Sequence, residues 1–134
     1  MATPEATRLA WAQRIAALIL CVYWIAFWQD HSDLTAQAAD IEWSFLLPDI
    51  LFIALAFVLA SQWLLKADRR ADALTAIAGG ALFYLGFLDT MMNIREGNYT
   101  AVPSRGALNA LVNVLCLGFG AVNMRFALKR AAGK

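Results

Sequence analysis

Histidine occurs once in these 134 residues and cysteine twice, and neither belongs to an array. His31 stands in an acidic stretch, where solvation is expected of it rather than ligation. Cys21 and Cys116 show no CxxC or Cys/His spacing, which removes the common zinc, haem and thiol-redox patterns. No glycine-rich phosphate loop and no Ser/His/Asp arrangement is visible, so an intramembrane enzyme using Glu42, Asp49 or Asp89 as acid and base is an alternative rather than the first expectation. The basic segments at both ends are short, and the net charge is only +1, so nucleic-acid binding has no support. Long polar stretches are missing too, so no appended soluble domain is expected. Short strands of alternating polarity, the mark of a membrane barrel, are absent as well.

What remains is apolar. Hydrophobic residues make up 61% of the chain, and the mean hydropathy is +0.58. Four continuous apolar stretches cover roughly 9–28, 45–65, 74–94 and 108–126. Each approaches the ~20 residues that carry a helix across ~30 Å of hydrocarbon. Within lipid every backbone N–H and C=O must be satisfied inside the segment, which selects helices here. Short connections join neighbours antiparallel, so the expected fold is all-α, an integral-membrane four-helix bundle in up-down-up-down order.

Charge sets the expected orientation. Arg8, Arg14, Lys66, Arg69, Arg70, Arg125, Lys129, Arg130 and Lys134 fall on one side of the spans, against Arg95 and Arg105 on the other. The positive-inside rule then places both termini in the cytoplasm. Asp30, Asp33, Asp40, Glu42, Asp49, Asp89 and Glu96 lie on or near the outer side. The inner basic residues suit anchoring against anionic lipid. Ala36-Gln37-Ala38 has the shape of a signal-cleavage site, but polar residues and bulky aromatics separate it from the first apolar run. That run is expected to stay.

Lipid offers no hydrophobic drive between helices, so contact depends on small residues and interhelical hydrogen bonds. Span three carries Ala76, Gly79, Gly80 and Gly86, and span four Gly118 and Gly120. These two spans are expected to pack closely. Trp28, Trp43, Trp63 and Tyr99 fall near span ends, as an interfacial aromatic belt would.

The candidate site lies in the outer half. Asp49 follows Pro48 about one turn inside span two, where the first helical turn tolerates a proline. Glu42, seven residues earlier, shares its face if the helix starts early enough. Asp89 and Asn93 are four apart at the outer end of span three, with Arg95 and Glu96 just beyond. Asn109 and Asn113 repeat that spacing at the start of span four, and Asp30 closes span one. A carboxylate at mid-bilayer costs ~2.5–3.5 kcal/mol, so Asp49 and Asp89 should face the interior or water. Protonation, pairing with Arg95 or Arg105, and cation coordination all remain open. Glu42, Asp49 and Asp89 are oxygen ligands of the kind a hard cation takes, although no dedicated metal site is expected.

The expected ligand set is Glu42, Asp49, Asp89, Asn93, Asn109 and Asn113, with Arg95 at the mouth. Phe45, Phe87 and Tyr99 would serve as walls. The ligand would be a small molecule or cation, or a proton exchanged in transport. The bland alternative makes the same groups interhelical glue, at ~0.6 kcal/mol each, in an accessory subunit of a larger membrane complex or a homo-oligomer. Asn123, in the inner half, fits that glue role.

Phe87-Leu88-Asp89-Thr90-Met91-Met92-Asn93, followed by Gly97-Asn98-Tyr99, resembles the signature of a small four-span bacterial inner-membrane family of unassigned function. That resemblance implies an inner-membrane location and no particular activity or cofactor. Glu42-Trp43-Ser44-Phe45-Leu46-Leu47-Pro48 also resembles the Glu-to-Pro spacing of EXPERA membrane proteins, which include sterol isomerases and sigma-type receptors. Asp30 would match the acid that ends their first span. The resemblance implies an apolar, cationic or sterol-like ligand between carboxylates and aromatic walls. The chain departs from that pattern in its shorter first loop and its lack of an intramembrane histidine. Small multidrug exporters carry a membrane glutamate in span one, and here that span has no acid before Asp30.

Overall fold

Pro4 opens the first helix, α1 (Pro4–Gln29), at a position where its missing N–H costs nothing. Thr3 caps it, its Oγ1 accepting from the Ala6 amide at 3.2 Å. In this computed structural model the described residues are 2–29, 36–101 and 103–133, with side chains throughout except at 36–38, 101 and 103–105. Asp30, His31 and Asp33 lie outside them. α2 (Ala36–Pro48), a π-helical turn (Asp49–Ala54) and α3 (Leu55–Leu65) run on as one long second helix. α4 (Arg70–Glu96), a short helical turn α5 (Asn98–Ala101) and α6 (Pro103–Ala132) complete the chain. Four helical stretches, Pro4–Gln29, Ala39–Leu65, Arg70–Glu96 and Gly106–Ala132, are long and apolar enough to cross a membrane. Large apolar side chains such as Leu18, Ile19, Tyr84 and Val114 cover their outer faces, the surface a bilayer would solvate. This is a polytopic membrane protein.

The helices extend beyond the apolar stretches that mark them in sequence. The largest difference is in the second, which is already helical at Ala36 rather than near 45. Residues 36–44 intersperse Gln37, Asp40, Glu42 and Ser44 among alanines and other helix formers, so the helix begins before the continuous apolar run does. Pro48 is therefore interior to a long helix and not in its first turn. It keeps helical angles (φ −53, ψ −46), but it has no N–H to donate and its ring crowds the carbonyl one turn back. The chain accommodates this by widening directly afterwards, where the Leu55 amide donates to the carbonyl of Ile50, five residues back.

The second helix ends in a Schellman motif: the Asp68 amide donates to the Trp63 carbonyl at 2.9 Å and the Ala67 amide to Leu64 at 3.0 Å. Ala67 takes the left-handed position, φ 54. Asp68 then starts α4, accepting from the Arg70 amide at 2.9 Å and from its guanidinium at 2.7 Å. These bonds hold the Asp68 carboxyl well down, at about 2. Gly97, φ 71, turns the chain out of α4.

α4 packs most closely on α6, and glycine makes this contact. A Cβ on Gly79 would lie 2.6 Å from Asn123 Cβ and 2.9 Å from the Gly120 carbonyl. One on Gly86 would meet Cys116 Cβ at 2.8 Å, and one on Gly120 the Gly79 carbonyl at 2.7 Å. Gly80 and Gly118 take no part: the first has ordinary contacts and the second open space. Close packing of the two spans is as expected, through three of the five glycines that suggested it.

Two apolar clusters fill the interior. One gathers Ala6, Leu9, Ala10, Leu64, Ala71 and Phe126 near the termini. The other gathers Ala17, Ile53, Phe57, Ala78 and Leu82 farther along. A buried polar layer separates them. Gln13 Nε2 donates to Asn123 Oδ1 at 2.8 Å and lies 3.2 Å from Thr75 Oγ1, joining α1, α4 and α6. Asn123 thus makes the interhelical bond expected of it. Arg130 pairs with Asp72 at 2.8 Å at the end that carries the termini.

The glycine contact predicts a selective stability loss. Gly79→Ala should cost about 1–3 kcal/mol, because its neighbours are a Cβ and backbone atoms, which cannot yield. Gly118→Ala should be neutral or slightly stabilising. Thermal unfolding in detergent, followed by circular dichroism, compares them directly; equal midpoints would show that the glycine contact is not tight.

Candidate functional site

Asp89 and Asn93 project from one face of α4, one turn apart. The Asn93 Nδ2 donates to the Asp89 carbonyl at 2.8 Å, which fixes its rotamer and leaves Oδ1 facing α6. There it accepts from Asn109 Nδ2 at 3.1 Å. One turn deeper on α6, Asn113 Nδ2 donates to the Tyr99 hydroxyl at 2.7 Å. The Asp89 carboxyl lies within reach of the Asn113 and Asn93 side-chain amides. Gly86 and Gly106 allow this geometry: the first lets α6 approach beside Asn113 and Cys116, and the second sits against the Tyr99 backbone. Asn93 and Asn113 are buried, while Asp89, Asn109 and Tyr99 are half-buried.

The second helix contributes Asp49 and Glu42. Asp49 begins the π-helical turn and is 4% exposed. Its Oδ2 accepts from Trp24 Nε1 at 3.0 Å. Half-buried Glu42 accepts from the Tyr23 hydroxyl at 3.1 Å. Glu42, Asp49 and Asp89 lie close enough to repel one another, and Glu96 adds its charge to Glu42. Two buried oxygens of this region, Asp49 Oδ1 and Asn113 Oδ1, accept no hydrogen bond.

Seven of the eight expected ligand-site residues thus fall into one region at the far end of the bundle. Arg95 does not join them. It is exposed and pairs with no carboxylate among the described residues, because it sits two residues past Asn93, on the opposite side of α4. The side chain of Arg105 is not among those described. Phe87 is 52% exposed and looks away from the interior, so it is no wall of the site. Among the described residues no group of three His, Cys, Asp or Glu side chains is arranged to hold a metal ion.

Span one contributes Tyr23 and Trp24, which sequence reasoning missed. A buried indole N–H or phenol needs a polar partner, and Trp24, in the middle of an apolar run, was the available signal. Both belong to an aromatic cluster: Trp24 and Phe27 meet Trp43 at 6.0 and 5.1 Å between ring centroids, and Trp28 meets it edge-on at 5.5 Å. Trp43 is therefore packed against other rings. Beside this cluster runs an open groove between α1 and the second helix, about 520 Å³, lined by Cys21, Trp24, Ile25, Trp28, Gln29, Leu46 and Ile50.

Family models, curated proteins and solved structures yield no match to this chain. The site is read from its own chemistry.

Trp24 is the donor that Asp49 depends on. Trp24→Phe should lower stability by ~1–3 kcal/mol, the cost of leaving a buried acceptor unpaired. In an Asp49→Leu background the same change should cost much less. A double-mutant cycle by thermal unfolding measures the coupling, and additive losses would mean the two side chains act independently.

Proposed function

We propose that this protein binds a small cationic or hydrogen-bond-donating molecule at the far end of the bundle, between the second helix, α4 and α6. The observation that carries this reading is an imbalance. Three carboxylates share the region, two buried oxygens accept nothing, and no lysine or arginine among the described residues supplies the missing charge. A group that is both positive and a donor would relieve repulsion and satisfy those oxygens together. Asp49 and Asp89 would take the charge. Asn93, Asn109 and Asn113 would orient polar groups, and Glu42 and Tyr99 would stand at the entrance.

The same groups suit a proton, and proton-coupled transport is the dynamic form of this reading. Among the described residues no nucleophile–base pair accompanies the carboxylates, which favours binding or proton exchange over catalysis. The distribution of Lys and Arg supports a site facing outward, with both termini on the cytoplasmic side of a bacterial inner membrane. A second reading, an accessory subunit, draws on α6. The last span is the least buried of the four, which leaves a broad apolar face for a partner.

Native mass spectrometry of gently extracted protein separates these readings. Wild type should carry a discrete small adduct. Asp89→Asn should elute and unfold like wild type but retain the adduct about tenfold less, since a charged hydrogen bond contributes ~1.5–3 kcal/mol. An adduct that survives both Asp89→Asn and Asp49→Asn would place the ligand elsewhere. A stoichiometric protein companion in place of a small adduct would favour the accessory role.

A further inference from the structure

Arg14 lies five residues past Leu9, where the apolar stretch begins, roughly 8 Å along α1 and within the span. It is half-buried. Its Nε donates to Ser61 Oγ at 3.2 Å, and its guanidinium lies 4.9 Å over the Trp11 ring. Neither partner is an anion. Among the described residues no carboxylate pairs with Arg14. A cation at this depth ordinarily has a counter-ion or reaches for the headgroup layer.

The surroundings of Arg14 are shaped to admit one. Arg14 lines an open groove of about 400 Å³ between α1 and the second helix, together with Ala17, Leu18, Cys21, Ala54 and Val58 among others. Cys21 and Ile50 also line the 520 Å³ groove beside Trp24 and Trp28, so the two form one furrow. From Arg14 to Trp28 it follows α1 for roughly 21 Å, longer than the ~15 Å depth of one leaflet. Its lining is apolar except at Arg14 and Gln29. Side chains of α1 lean toward its start, so the Arg14 guanidinium tilts back over Trp11 to the surface that also carries Arg8, Lys66 and Arg69.

We propose that this furrow binds one acyl chain of an anionic phospholipid from the leaflet nearest the termini, with its phosphate on the Arg14 guanidinium. The lipid supplies the anion the protein omits, and its chain covers the apolar walls. A partner helix would have to bring its own carboxylate to this depth, whereas a phosphate is already at hand there. This site is separate from the carboxylate cluster and does not depend on the function proposed for it.

The test offers detergent-purified protein equal amounts of dioleoyl phosphatidylglycerol and dioleoyl phosphatidylcholine, and counts retained lipid by native mass spectrometry. Wild type should retain the anionic lipid about fivefold more, the equivalent of ~1 kcal/mol for one basic residue near a charged lipid surface. Arg14→Gln, which keeps a donor for Ser61, should abolish the preference. Arg125→Gln, exposed on α6 at the same end, should leave it intact. Val58→Trp, which fills the furrow from its open side, should lower retention with Arg14 still present, so a poorly folding Arg14 variant does not leave the matter open. Equal retention of the two lipids by wild type would overturn the proposal. So would a preference that survives Arg14→Gln, an equal loss in Arg125→Gln, retention unchanged by Val58→Trp, or a protein bound in place of lipid.

Discussion

A polar side chain inside a bilayer has no water to return to, so each one must find its partner within the bundle. This constraint organises the protein into layers. An apolar cluster near the termini is followed by the Gln13–Thr75–Asn123 bonds, then by a second apolar cluster around Phe57, then by the carboxylates and amides of the far end. In the inner polar layer the Gln13 amide donates to Thr75 and Asn123 and the Asn123 amide to the Phe119 carbonyl, leaving Gln13 Oε1 alone without a donor. This layer ties α1 to α4 and α6. The outer layer has more acceptors than donors. Both are buried polar networks, but the inner one is neutral and the outer one carries three carboxylates, and that difference in charge separates a structural network from one that calls for a ligand.

The close contact of α4 and α6 makes the outer layer possible. Glycines at 79, 86 and 120 bring the two backbones together, and only at that separation can side chains as short as Asn93 and Asn109 reach each other. The bundle's stability and the geometry of its candidate site therefore depend on the same three positions. Span two supplies the opposing wall, with Asp49 placed by the turn that follows Pro48.

Much of this was legible in the residues. Four long apolar runs required four helices, and the spacing of Asp89, Asn93, Asn109 and Asn113 marked one face on each of two neighbours. Other features lacked a signal of that kind. The second helix starts early because Ala36–Ser44 is helix-forming although polar residues interrupt it, and hydropathy registers the interruption without the propensity. Tyr23 and Trp24 count as hydrophobic in an apolar run, although each carries a donor that finds a carboxylate. Gln13 and Arg14 were inconspicuous for the opposite reason, as polar residues close to a span's start whose long side chains find partners on other helices. Among the glycines, sequence could not tell Gly79 from Gly80, since one faces α6 and the other turns away by a single residue's rotation.

The widened turn at Asp49–Ala54 has a geometric consequence for the whole second helix. Such a turn holds one residue more than α-helical winding needs, and one residue is about 100° of rotation. The two halves of the span are thus phased independently. Before the turn, Glu42 and Trp43 are presented to Tyr23 and the aromatic rings of α1; after it, Phe57, Ser61 and Leu64 are presented to the interior. With uninterrupted winding, one of these sets would swing toward lipid, and Ser61 would lose Arg14 or Glu42 would lose Tyr23. The extra residue behaves as a phase shifter, letting a single helix satisfy two differently oriented interfaces at two depths of the membrane.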